Sequence, residues 1–291
     1  MASLVGCARP EAHALCAVAS RRWVLETGAE LSCLGTVLSR FVTDLMAWGS
    51  QAYGFVDLPD DLSGISASMP QKKNFPVLER IRGRIGHLTA FHVDFVLGQR
   101  NTHFGNSVEV AKEAGTHLLP LFGALRSALR LLDTVAARIE FRPETMRRAC
   151  ERDYLGAFSL ANRLTLHCGV PWRLSQIVVG AYVLAAGEKG LAPGEPDTAL
   201  LRSVAAERGY EVVLSDADLR GLFDADRNLR LRDSAGSAHP DAVRELLAAQ
   251  AAELNTRTGE WERRRARRTE GPLLTDRLLG LDGGPAAGAL A

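Results

Sequence analysis

Apolar residues return every three or four positions between Leu31 and Trp48, at Leu31, Leu34, Val37, Leu38, Phe41, Leu45 and Trp48. That is the period of one helix face; it extends back to about Arg21 and predicts a long helix. Between Tyr53 and Asn74 the period is lost among Gly54, Pro59, Gly64 and Pro70. This stretch reads as a long, mobile loop, a class that is commonly functional or disordered. A second helix is predicted from Pro76, a good first-turn residue, to near Gly98, with Leu78, Ile81, Ile85, Leu88, Phe91 and Phe95 on one side. After a polar connection over 99–106, the stripe Ala111, Ala114, Leu118, Leu121, Leu125, Leu129 and Leu132 predicts a third. At ~1.5 Å per residue these helices reach roughly 30 to 45 Å, more than a small domain needs, which points to a bundle shared with other chains. Shorter helices are predicted from Arg142 onward, at about 145–153, 157–168, 171–188, 197–208, 215–223 and 239–253, with Gly- and Pro-containing turns between them. The chain closes on the basic run Glu260–Arg268 and a patternless Gly, Ala and Leu stretch over 280–291, read as a frayed tail.

Composition supports an all-α, compact chain rather than a fibre or a membrane protein. Hydrophobic residues make up 46% of the 291 and charged residues 24%, but aromatics only 6%, a balance that favours helix over strand. Net charge is +1, so no overall field draws the molecule to nucleic acid or lipid. The N-terminus lacks the blocks of a signal peptide, and no run of ~18 apolar residues could span a bilayer. The five cysteines, Cys7, Cys16, Cys33, Cys150 and Cys168, contain no C-x-x-C pair; they read as small core residues in a reducing, cytosolic compartment, and no metal site or cofactor is indicated.

One string stands apart: Ser66-Ala67-Ser68-Met69-Pro70-Gln71-Lys72-Lys73-Asn74, just before the second predicted helix. Its ingredients suit an anion. Lys72 or Lys73 supplies charge, Asn74 supplies amide donors, and the N–H groups of the first helical turn can face a carboxylate or a developing oxyanion. Ser66 lies where a closing loop could bring a hydroxyl over the bound group.

Met69-Pro70-Gln71-Lys72-Lys73-Asn74, followed by Leu78-Glu79 and Ile81-Arg82-Gly83, resembles the signature loop of argininosuccinate lyases in the fumarase/aspartase superfamily. The likeness continues in register. Ser20-Arg21-Arg22-Trp23 looks like their S-D-R-D-F, Leu38-Ser39-Arg40 and Trp48-Gly49-Ser50-Gln51 follow at family spacing, and Gly169-Val170-Pro171-Trp172-Arg173 resembles their G-V-P-F-R. Asp224 to Val243 is similar to a degenerate form of their closing segment. The resemblance covers about 15–250 and the second half of a family chain. It implies a partial central helical-bundle domain over 1–138, with the signature loop at 57–76, a small helical C-terminal domain over 139–253, and a basic, low-complexity tail over 254–291.

The resemblance further implies a C–N lyase that forms fumarate by β-elimination from an N-substituted aspartate, or runs the reverse addition, in amino-acid metabolism related to arginine biosynthesis. Ser66 takes the place of the family's catalytic base. Lys72 and Asn74 match carboxylate-binding positions, with Gln71 beside them, and Glu79 matches the carboxylate that orients the family's histidine acid. In the following substrate segment Phe104 stands where a tyrosine is expected, Glu109 where a glutamine is expected, and Lys112 agrees, so the amine half of the amino-succinate substrate is expected to differ. In the loop, Ile65 and Ala67 replace the Gly and second Ser of the family's G-S-S-x-M, and Phe75-Pro76 replaces Pro-Asp.

The family's S-x-N-D-Q-type motif and its T-H-x-Q motif, whose histidine is the general acid, occur nowhere in these residues. Because each active site in this superfamily is built from several subunits of a tetramer, the resemblance implies an oligomer; a separate chain supplying the other half would make it a hetero-oligomer. The alternative is a non-catalytic paralogue that keeps the bundle for assembly. Other residues carry less. His87 and His92, five apart, point about 140° from each other on a helix and make poor joint metal ligands. Cys168 beside His167 reads as a structural cysteine. Arginines 263–268 lack aromatic interleaving and are flanked by Glu260, Glu262 and Glu270, a solvated helix end rather than a nucleic-acid contact.

Overall fold

The computed structural model describes residues 2–281 and is helical almost throughout, as the composition predicts. It divides into two compact units, the first within Cys7–Pro143 and the second from Glu144 onward. The first holds α1 (Ala14–Ala19), α2 (Arg22–Gly49), α3 (Pro76–Gln99), α4 (Val108–Ala111) and α5 (Leu118–Arg138). The second holds α6 (Pro143–Arg152), α7 (Ala157–Cys168), α8 (Trp172–Glu188), α9 (Thr198–Ala206), α10 (Asp216–Phe223), α11 (Ala225–Arg230) and α12 (Pro240–Leu278).

In the first unit α2, α3 and α5 pack antiparallel in turn around Val24, Val42, Leu45, Leu78, Ile81, Ile85, Leu88, Phe95, Leu121 and Val135. The α2–α3 seam is close because glycine lines it. A Cβ added at Gly28 would lie 2.9 Å from the Phe95 ring, and one at Gly35 would lie 3.1 Å from the Ile85 carbonyl oxygen. Ser32 and Thr89 hydroxyls hydrogen-bond across the same seam at 2.8 Å. The inward face of α2 is thus Val24, Gly28, Gly35, Val42 and Leu45. Most of the apolar stripe read from the sequence points outward: Val37 is 64% exposed and Phe41 49%, with Leu34 and Trp48 also open. On α5, Leu119, Phe122 and Leu129 are exposed as well.

Three expectations change. The predicted third helix is broken into α4, a single 3₁₀ turn over Glu113–Gly115 and α5. Pro120 explains the break, since it lacks the N–H a continuous helix would need and fits only the first turn of α5. The last predicted helix does not stop at 253 but runs to Leu278, so most of the expected tail is helical; residues 282–291 lie outside the described residues. None of the five cysteines is buried: Cys7 and Cys33 are exposed and the rest half-buried. Among the described residues no helix is long and apolar enough to cross a membrane.

The second unit is a separate core of Leu160, Leu164, Val170, Val178, Tyr182, Leu201, Leu219 and Phe223. Its short helices are delimited by side-chain caps. Asp197 accepts from Leu200 N–H at 2.8 Å before α9, and Ser215 with Asp218 forms a capping box before α10. Asp224 caps α11, a one-and-a-half-turn helix that the apolar pattern does not reveal.

Candidate active site

The stretch read as a mobile loop between α2 and α3 is built as a small anchored structure. Val56–Asp57 (β1) pairs antiparallel with Glu140–Phe141 (β4), and Gly64–Ile65 (β2) with Lys73–Asn74 (β3). Leu58 and Phe75 fasten its two ends into the core. Phe75 directly precedes α3, and Pro76 opens that helix at a position where no N–H is required.

The hairpin register pairs Gly64 with Asn74 and Ile65 with Lys73. Ser66 and Lys72 lie just beyond these two strands, toward the tip. Side chains alternate between faces along a strand, so Lys73 and Asn74 point to opposite faces. Lys73 is committed elsewhere, 3.0 Å from Asp57 and 3.1 Å from Asp60, whereas Lys72 makes no ion pair among the described residues. Ser66 is half-buried at the tip and its Oγ accepts from the Met69 N–H at 3.2 Å. Gln71 is exposed beside it.

Asp57 is the centre of the charges beneath the tip. Burial works against its ionised form, but the Lys73 ammonium, the Leu58 N–H and the Arg142 guanidinium outweigh this and hold its carboxyl below the usual carboxylate range. Burial likewise opposes the charge on Lys73, and hydrogen bonds to Asp57 and Asp60 overcome it, raising the ammonium above its ordinary value. Asp61, on the same turn, receives two bonds from Arg138 at 2.6 and 2.8 Å and is also held low. Sequence reading missed this group; its signal was the acidic cluster Asp57, Asp60 and Asp61 lying one short loop before two lysines.

Glu79 stands exposed in the first turn of α3, adjacent to the hairpin in sequence. Phe104, Glu109 and Lys112 are not with it. They follow the far end of α3, where Gly98 packs against Ala114, and the 24 residues of that helix separate the two ends by ~36 Å. Phe104 is 61% exposed, and Glu109 lies in the first turn of α4. In one copy of the chain, Ser66, Lys72 and Asn74 thus precede one end of α3, and Phe104, Glu109 and Lys112 follow the other.

No family model matches the sequence. The fold is close to that of a variant of EDDS lyase solved with bound fumarate, with a TM-score of 0.86, 21% identity, and coverage of 94% of this chain and 54% of that one. Among curated proteins, the argininosuccinate lyase of Herpetosiphon aurantiacus is 31% identical over 242 residues, 82% of this chain and 50% of that protein. That of Methanothermobacter thermautotrophicus is 28% identical over 229 residues, 78% and 49%. At 31% identity over 82% of its length the chain belongs to the argininosuccinate lyase family, whose helical-bundle fold is that of the fumarase/aspartase superfamily. Within it the chain is argininosuccinate lyase-like, corresponding to the C-terminal half of those enzymes. It spans about half the length of the curated relatives it matches.

Proposed function

We propose that this chain carries the base-bearing half of an argininosuccinate lyase-like C–N lyase. The reaction is β-elimination of an N-substituted aspartate to fumarate and an amine, or the reverse addition. The observation that carries the reading is that Ser66, Lys72 and Asn74 stand on one short anchored hairpin before α3, with the neighbouring Lys73 paired to Asp57 and Asp60. Ser66 removes a proton from the carbon next to a carboxylate; the electrons move into that carboxylate as a doubly charged aci-form. Lys72 and Asn74 stabilise it where the charge develops. The electrons then return to form the fumarate double bond as the Cα–N bond breaks, and the departing nitrogen takes a proton from an acid.

Serine has no useful basicity in water, so the alkoxide needs a dry site and N–H donors. The Met69 N–H, already aimed at Ser66 Oγ, is one such donor. The acid is the family's histidine, provided by a polypeptide segment bearing the T-H-x-Q motif and oriented by Glu79. Phe104, Glu109 and Lys112 receive the amine half. Since a helix length separates them from Ser66 within one copy, a complete site draws them from a second copy, and the exposed apolar faces of α2 and α5 are the surfaces on which the copies assemble.

The test is fumarate release from candidate amino-succinates by the chain co-expressed with a segment carrying the S-x-N-D-Q and T-H-x-Q motifs. Ser66→Ala is expected to lower kcat by about 100- to 10,000-fold, the range a general base contributes. No fumarate from any such complex, or a rate indifferent to Ser66, overturns the reading. A non-catalytic assembly subunit is the second reading, favoured by the outward apolar stripe on α2; Ser66-dependent release rejects it.

A further inference from the structure

The hairpin that carries Ser66 is held from beneath by charge. Asp57, Asp60 and Asp61 meet cations from two other places: Lys73 in the second arm of the hairpin, and Arg138 and Arg142 at and beyond the end of α5. Asp57 also accepts from the Leu58 N–H at 2.9 Å, and the Arg142 N–H donates to the Phe55 carbonyl at 2.9 Å. Among the described residues the tip has no comparable anchor. Its own bonds are Met69 N–H to Ser66 Oγ and Lys72 N–H to the Met69 carbonyl at 2.9 Å.

We propose that Asp57, helped by Asp60, is a positioning residue: by pairing with Lys73 it anchors the second arm of the hairpin that carries Ser66, and it leaves Lys72 as the lysine of the loop without an ion pair among the described residues. Strands of two residues supply few backbone bonds of their own, so the paired charges carry much of what holds that arm in place. What the loop does rests on the functional reading above; which residues hold it rests on geometry alone.

The test uses the full chain and three variants, Asp57→Asn, Lys73→Met and Lys73→Arg. Acetylation by an amine-reactive ester, mapped by mass spectrometry, reads which lysine is free, and amide hydrogen exchange over 62–75 reads how firmly the hairpin is held. In the parent chain Lys72 acetylates about fivefold or more faster than Lys73; Asp57→Asn brings the two rates within about twofold and speeds exchange at Lys73 and Asn74 about tenfold, leaving α3 unchanged. Lys73→Met speeds the same exchange and Lys73→Arg does not. In the catalytic complex, kcat falls with Asp57→Asn and Lys73→Met while KM is little altered, and Lys73→Arg restores it. Equal lysine reactivity in the parent chain, or exchange indifferent to Asp57→Asn, overturns the proposal. So does an unaltered kcat in Asp57→Asn where Ser66→Ala abolishes turnover, an outcome that leaves the serine reading intact. If no complex turns over, the functional reading fails, and acetylation and exchange alone decide the role of Asp57.

Discussion

Replacing Gly35 by alanine opposes two effects of known size. A glycine inside a helix costs about 1 kcal/mol relative to alanine, so Gly→Ala in an open position stabilises. Gly83 on α3 supplies that reference, since an added Cβ there meets nothing within 4 Å, and Gly83→Ala should stabilise the first unit by about 0.5–1 kcal/mol. At Gly35 the same methyl lies 3.1 Å from the Ile85 carbonyl oxygen and 3.1 Å from a Leu88 methyl. The Leu88 side chain can rotate, but the carbonyl belongs to helix backbone, so α2 and α3 must part by a few tenths of an ångström. Overpacking of this kind costs about 1–3 kcal/mol, which cancels or exceeds the propensity gain. Gly35→Ala is therefore expected to be neutral or destabilising by up to about 2 kcal/mol, and to fall at least about 1 kcal/mol below Gly83→Ala. Urea titration followed by hydrogen exchange in peptides from α2 and α3 measures both. With a slope of about 1–3 kcal/mol/M, the two midpoints should differ by roughly 0.3 M or more. Equal stabilisation by the two substitutions would refute the claim that glycine sets the seam spacing.

The ion pairs under the hairpin should define a pH window. Asp57, whose pKa is depressed on folding, contributes stability above its unfolded value of 3.8 and loses it as pH falls through the lower folded value. Lys73, whose pKa is raised, contributes below 10.5 and loses it as pH rises through the higher folded value. Exchange protection at Lys73 and Asn74, corrected for intrinsic rate, should then be flat through neutrality and fall only at the two extremes; a decline between about pH 5 and 7 would instead implicate a histidine. On the outward face of α2, Val37→Asp with Phe41→Asp should reduce the assembly size seen by sedimentation without loss of helical circular dichroism, and an unaltered sedimentation coefficient would rule that face out as the contact.

Local order was legible along most of the chain. Pro76 marks the start of α3, and the helices from α6 to α10 lie within a few residues of their predicted bounds, because three-and-four periodicity, proline and capping side chains act over a few residues. The periodic pattern does not say which face of a helix is buried. Glycines 28 and 35 are among the inward residues of α2, and a residue without a side chain is invisible to a hydrophobic pattern although it governs how closely two helices approach. The broken third helix shows the same limit: the stripe from Ala111 to Leu132 is real, but Pro120 overrides it locally.

The candidate site divides along the same line. Chain order alone brings Ser66, Lys72 and Asn74 close together and names the chemistry they could perform, since a hydroxyl, an ammonium and an amide keep those properties in any fold. Which of the two lysines is left without an ion pair among the described residues is decided by the pairing of Lys73 with Asp57 and Asp60. That Phe104, Glu109 and Lys112 stand a helix length from them depends on the unbroken run of α3 between the two segments. Residue chemistry is local and survives in a linear string; facing and distance depend on backbone hydrogen bonding and on contacts between residues far apart in sequence, and those exist only once the chain has folded.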